Sequence, residues 1–255
     1  MNKNFCFTVL ALKPKYQLLA KKLAQDIDKY SPGTTIVIGT DNPNAFKGCS
    51  NVFAFQLNKK GILNCYHDKR FVIKKALTKF QVVIQIDADT RINSPLPESI
   101  NQSTGLAVLH IENLLEHLHK YNPERLKDIC KLADKLEVDI DKVSYTGDSL
   151  FALSADEDKT SEFIRQWDLI ASYLELHGIH SGEGNAMGLA AAKVGLEIIQ
   201  PSWLKTINQV QHHLDASGFQ SRTTLWNNLT RRMDYHYRLS KARIMAFKDF
   251  NFYYR

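Results

Sequence analysis

The sequence predicts an α/β protein: a mostly parallel β-sheet flanked by helices, with a helical C-terminal extension. Two observations carry this. Short β-branched or aromatic runs alternate with helix-periodic segments through the first two thirds of the chain. After Pro201 strand signals fade and the pattern becomes helical and aromatic-rich. A third observation raises the functional question, because the apolar run "VVIQI" leads straight into Asp87 and Asp89.

The elements follow in order. "FCFTVLAL" reads as a first strand. Residues 14–30 place Leu18, Leu19, Leu23 and Ile27 at helical spacing, with Pro14 where a first turn tolerates it. "SPG" breaks that helix, "TTIVIG" is a second strand, and "TDNPN" is a turn. "NVFAFQL" is a short third strand. Residues 68–80 are helical, with Val72, Ile73, Ala76 and Leu77 on one face, and strand 82–87 follows. Residues 105–110 and 143–154 read as strands around a charged helical region, 111–136. Ser154 and Glu157 form a capping-box pattern for a helix over 157–176. "GEGNAMGLAAAKVG" starts another helix that Gly195 ends, and "LEIIQP" is a last short strand. The expected division is 1–205 for the sheet domain and 206–255 for the extension.

A chain of 255 residues, 44% hydrophobic and 24% charged, can bury a substantial core and lacks the composition of a disordered tail. Cys6, Cys49, Cys65 and Cys130 form no C-x-x-C pair and read as free thiols in a reducing compartment. The first apolar run is too short to span a membrane and has no cleavage signature, so the expected location is cytoplasmic. The net charge is +6. From Arg222 to Arg255 the tail carries Arg222, Arg231, Arg232, Arg238, Lys241, Arg243, Lys248 and Arg255 against Asp234 and Asp249, which accounts for the whole surplus. A basic tail of this kind can meet phosphates, an anionic membrane or nucleic acid.

Ligands of parallel sheets bind beyond the carboxyl ends of the strands. Asp87 and Asp89 sit at such an end, as do Lys13 and Asp41. On an extended strand, residues i and i+2 point the same way, so the two carboxylates can aim at one point. They repel unless a cation stands near them. Mg²⁺ and Mn²⁺ take oxygen ligands, and Mg²⁺ often binds one or two carboxylates together with substrate phosphates. Asp139 and Asp141 repeat the D-x-D spacing, but they follow a charged helical stretch and read as a solvated turn. A phosphatase-type D-x-D-x-T motif is excluded because Thr90 directly follows Asp89 and Arg91 takes the position that motif needs.

Together, "TVLALKPKY", "IVIGTD", "HDKRFVIKKALTKFQVVIQIDADT" and "SPL" resemble the nucleotide-sugar glycosyltransferases of the GT-A, Rossmann-like fold. The resemblance covers about residues 5–200. It implies a sugar transfer from a nucleotide-sugar donor, a UDP-sugar foremost, to a saccharide or other hydroxyl acceptor, with Mn²⁺ or Mg²⁺ as cofactor. It places Asp89 on the metal and Asp87 on the ribose or, through water, on the metal. A further ligand is expected from His212 or His213, with His213 preferred. Lys69 and Arg70 would face the donor, Arg being suited to bidentate phosphate contact. Lys13, Tyr16, Thr40 and Asp41 would meet the nucleoside, and Gly147 would let the backbone approach the sugar beside Asp148. Glu183, in an open setting between Gly182 and Gly184, is the candidate base or hydroxyl ligand, with Asp148 the second carboxylate. His177 and His180 read as structural.

Two other functions compete. A nucleotidyltransferase would carry a glycine-rich basic loop after the first strand, where this chain has "KPKY". A binding module could use the basic aromatic tail, but no RNA- or DNA-binding signature accompanies it, and no nucleic acid is expected. Peripheral membrane contact through that tail is a further expectation.

Overall fold

In a computed structural model, residues 3–101, 104–156, 159–216 and 225–254 are described, with only the backbone of 225–228. The centre is a seven-stranded sheet. Its strands are β1 (Phe5–Ala11), β2 (Thr35–Thr40), β3 (Val52–Gln56), β4 (Val82–Ile86), β6 (Leu106–Val108), β9 (Leu150–Ser154) and β10 (Ile198–Ile199), in the order β10-β6-β9-β4-β1-β2-β3. Only β9 runs antiparallel to its neighbours β4 and β6. Two small ribbons lie outside it. β5 (Thr90–Ile92) pairs with β11 (Gln211–His213), and β7 (Ile111–Asn113) pairs with β8 (Ser144–Thr146).

Period-2 alternation divides the core between the two sheet faces. Phe5, Phe7, Val9, Ile36, Ile38, Ile84 and Ile86 pack with α1 (Lys13–Tyr30) and α7 (Ser202–Gln209). Cys6, Val37, Val83, Phe151 and Leu153 pack with α2 (Lys69–Ala76), α5 (Lys159–Leu176) and α6 (Glu183–Val194). The helices α3 (Leu114–Tyr121) and α4 (Leu126–Lys135) close the same side through Leu118, Ile129 and Leu132. Three glycines set the spacing of this layer. A Cβ on Gly39 would stand 2.6 Å from Val72, so β2 and α2 approach closely there. A Cβ on Gly184 or Gly188 would overlap the carbonyls of Thr146 and Ser144, so α6 lies directly on β8.

Several expectations are corrected. Leu18 is exposed and Gln17 is buried in its place, because Gln17 reaches back to Asp41 at 2.7 Å. The region 111–136 is not one helix: β7 precedes α3, and Pro123 opens a 3-10 turn before α4. The span 143–154 is two strands, interrupted at Gly147 and Asp148. The Ser154 capping box does not open α5. Ser154 ends β9, and Thr160 Oγ1 instead accepts from Asp156 N–H and donates to the Ser154 carbonyl. Glu157 lies outside the described residues. The boundary at 205 falls inside α7, and β11 beyond it belongs to the ribbon over the sheet end. The extension proper is α8 (Leu225–Ala246) and α9 (Phe250–Tyr254). Arg222, Arg255 and the Trp226 side chain lie outside the described residues. No helix among the described residues is long and apolar enough to cross a membrane.

Candidate metal and carboxylate site

The chain winds from β1 outward to β3, then returns to place β4 on the other side of β1. That reversal opens a crevice at the carboxyl ends of β1 and β4, where parallel sheets bind ligands. β4 is wholly buried and ends at Ile86. Asp87 to Asp89 therefore form a turn, closed by Thr90 N–H on the Asp87 carbonyl at 3.1 Å. The turn, rather than strand alternation, brings the two carboxylates together.

β11 supplies the third group. Its register sets His213 opposite Thr90, which puts Nδ1 3.7 Å from Asp89 Oδ1. Asp87, Asp89 and His213 each offer a ligand atom, all within 4.8 Å of one another. The segment after β11 is tied down by the same aspartate: Leu214 N–H donates to its carbonyl at 2.8 Å and Ala216 N–H to Oδ2 at 2.9 Å. His212 points elsewhere in this ribbon, opposite Arg91, and is not part of the group. Two carboxylates and one imidazole, partly open to solvent, fit a hard-to-intermediate divalent ion with coordination positions left for a ligand.

Behind Asp87, Asp89 and His213 lies Lys69, the first residue of α2 and 7% exposed. Its ammonium contacts Asp87 Oδ1 at 2.9 Å and Glu183 Oε1 at 3.4 Å, and donates to the Asp148 carbonyl at 3.2 Å. Burial opposes its charge, but the carboxylates of Asp87, Glu183 and Asp148 more than offset that and move its pKa upward. Glu183 opens α6 after Gly182, whose φ of 94° only glycine adopts readily. It is 6% exposed, so the open setting expected for it is corrected: its glycine neighbours bring helix against strand and enclose it. Burial pushes its carboxyl pKa up, and Lys69 opposes that shift.

The other expected residues divide. Tyr16 borders the site, its phenol raised by burial and then by the Asp89 carboxylate. Lys13 follows β1 with φ 74°, and its N–H is held by both Asp41 oxygens at 3.1 and 3.2 Å. Asp41 thus orders the first turn of α1 while remaining exposed at the crevice. Thr40 is buried and accepts from Asn42 N–H, shaping the strand end. Gly147 N–H donates to the His110 carbonyl, and a Cβ there would meet only ordinary contact at 3.5 Å. Arg70 is not delivered to the crevice. It is buried and donates to Asp168 at 2.8 Å and to the His67 carbonyl at 2.6 Å. Asp139, an exposed residue, forms the expected turn. His177 stacks on Tyr173, a structural contact.

Tyr66 was not anticipated. It is 44% exposed and stands close enough to the site that, after burial, the Glu183 carboxylate is the next influence raising its phenol. Its signal in the sequence was only its place three residues before Lys69 in "CYHDKR". No known family model and no curated protein matches this chain.

Proposed function

We propose that this chain is a metal-dependent glycosyltransferase that moves a sugar from a nucleotide-sugar donor, a UDP-sugar foremost, to an acceptor hydroxyl. The convergence of Asp87, Asp89 and His213 at the sheet's switch point carries the reading. A bound Mn²⁺ or Mg²⁺ would neutralise the nucleoside diphosphate as it leaves.

The residues of the chain divide the remaining work. Asp89 and His213 would hold the cation, and Asp87, already paired with Lys69, would contact the ribose or reach the ion through water. Tyr16, Tyr66, Lys13 and the end of β2 at Thr40 and Asp41 frame the nucleoside. Gly147 gives the sugar access to backbone. In the transfer, the acceptor oxygen bonds the anomeric carbon, the bond from that carbon to the diphosphate oxygen breaks, and the acceptor proton passes to a carboxylate. Glu183 and Asp148 are the carboxylates on the Lys69 side of the crevice. The raised pKa of Glu183 suits a proton acceptor.

Calorimetric titration with UDP and GDP, each with and without Mn²⁺, tests this. The expected result is binding of one nucleotide that requires Mn²⁺ and disappears in Asp89→Ala. Binding that ignores both the metal and the substitution would overturn it, as would no binding under any condition.

A further inference from the structure

The helix α8 carries an apolar face that stays exposed among the described residues. Its inward face is set by Tyr235, Arg238, Leu239, Ala242 and Ala246, partly or fully buried. Arg238 donates to the Lys59 carbonyl at 2.6 Å and Tyr235 packs edge-on to His180. On the opposite side, Leu229, Met233 and Tyr237 recur every four residues, and Ile244 lies two turns further. Met233 is 65% exposed, and Tyr237 and Ile244 are each 68% exposed. Phe247, in the 3-10 turn just beyond α8, is 62% exposed and stacks on Phe250. Single exposed apolar residues are ordinary, but a stripe interrupted only by Ser240 and Lys241 is not. At 1.5 Å per residue, Met233 to Ile244 spans about 16 Å.

Charge identifies the occupant. At about 100° per residue, Arg232 and Arg243 fall on one flank of the stripe and Lys241 on the other, with Lys248 in the 3-10 turn just beyond the helix. Of the two acidic residues in this segment, Asp234 is neutralised by Arg238 at 2.9 Å and by Lys59 at 3.7 Å. An apolar stripe between two cationic borders matches a bilayer interface, with acyl chains beneath the stripe and anionic headgroups beside it. A nucleic-acid backbone would use the charges and leave the stripe in water.

We propose that α8 docks this face on an anionic membrane surface, lying in the plane of the interface with its inward face still on the protein. The proposal stands independently of the donor chemistry. It is tested by sedimenting the full chain with vesicles of phosphatidylcholine alone and of phosphatidylcholine with one third phosphatidylglycerol. Binding to the anionic vesicles at least tenfold above the neutral ones is expected. A Met233→Ser, Tyr237→Ser, Ile244→Ser variant should lose about tenfold, and Lys241→Glu with Lys248→Glu about fivefold or more per position. These side chains are exposed, so an unchanged melting temperature confirms that the variants fold. Equal binding to both vesicles, or to neither, overturns the proposal. Retained binding by the triple serine variant also overturns it, reducing the helix to a general polycation. A dimer in analytical ultracentrifugation that the triple variant abolishes, without vesicle binding, assigns the face to a second copy of the chain instead.

Discussion

Lys69 is the residue on which the crevice depends electrostatically. One ammonium compensates Asp87 and Glu183 and takes the Asp148 carbonyl as well. Removing one partner of a buried ion group costs more than the group contributes, because the other charges stay buried. Lys69→Met should therefore destabilise the protein by about 3 kcal/mol at pH 8. At pH 5 the loss should shrink, since an uncompensated Glu183 takes up a proton and becomes neutral. Urea denaturation at both pH values measures this; a pH-independent loss would contradict the account. At this scale the sequence was legible where chemistry is local. The D-x-D pair and Glu183 were visible as residue types at element ends. Lys69 and Arg70 could not be told apart, since both open the same helix and only the packing turns one to the crevice and the other to Asp168.

Among the elements, the loop between β3 and α2 is held by buried carboxylates. Asp68 accepts from Lys60 and Gly61 N–H at 2.7 and 3.3 Å, and Glu175 accepts from Ile62 N–H at 3.0 Å. Burial pushes Glu175 up to about 7 from an ordinary 4.5, and Asp68 is raised for the same reason. A carboxyl raised in the folded state binds more protons there than in the unfolded chain, so stability falls as pH rises between those values. The full penalty, at most about 3 kcal/mol for Glu175, is present above pH ~7 and absent below pH ~4.5. Glu175→Gln keeps an acceptor for Ile62 N–H and removes the titration. Its melting temperature should exceed that of the parent at pH 8 and converge with it near pH 5; parallel curves would refute the assignment. The strands and helices of the first half were readable because each is a long apolar pattern bounded by Pro, Gly or Asn. β5, β7 and β11 were not, being three-residue ribbons with no periodicity to detect. That is why the ribbon carrying His213 went unseen although the histidine itself did not.

For the molecule as a whole, the group of Asp87, Asp89 and His213 draws on residues separated by about half the chain, so a cation bound there would link distant segments. Mn²⁺ at 100 times its dissociation constant should stabilise the fold by about 2.7 kcal/mol, a rise of about 5 °C or more for a chain of this size. Differential scanning fluorimetry should show that rise in the parent and its absence in Asp89→Ala. Equal rises would place the ion elsewhere. The sheet's one antiparallel strand has a different consequence, for the order in which the chain assembles. β1 to β4 can pair as they leave the ribosome, since each finds a neighbour already made. β6 cannot, because its partners are β9 and β10, both later in sequence. A nascent chain that stops before residue 150 therefore presents β4, apolar but for Gln85, as a bare edge, a template for aggregation. The arrival of β9 covers that edge and recruits β6, and the half of the crevice that bears Asp148, Glu183 and His213 can form only afterwards. The crevice thus takes shape only after the exposed edge of β4 has been sealed.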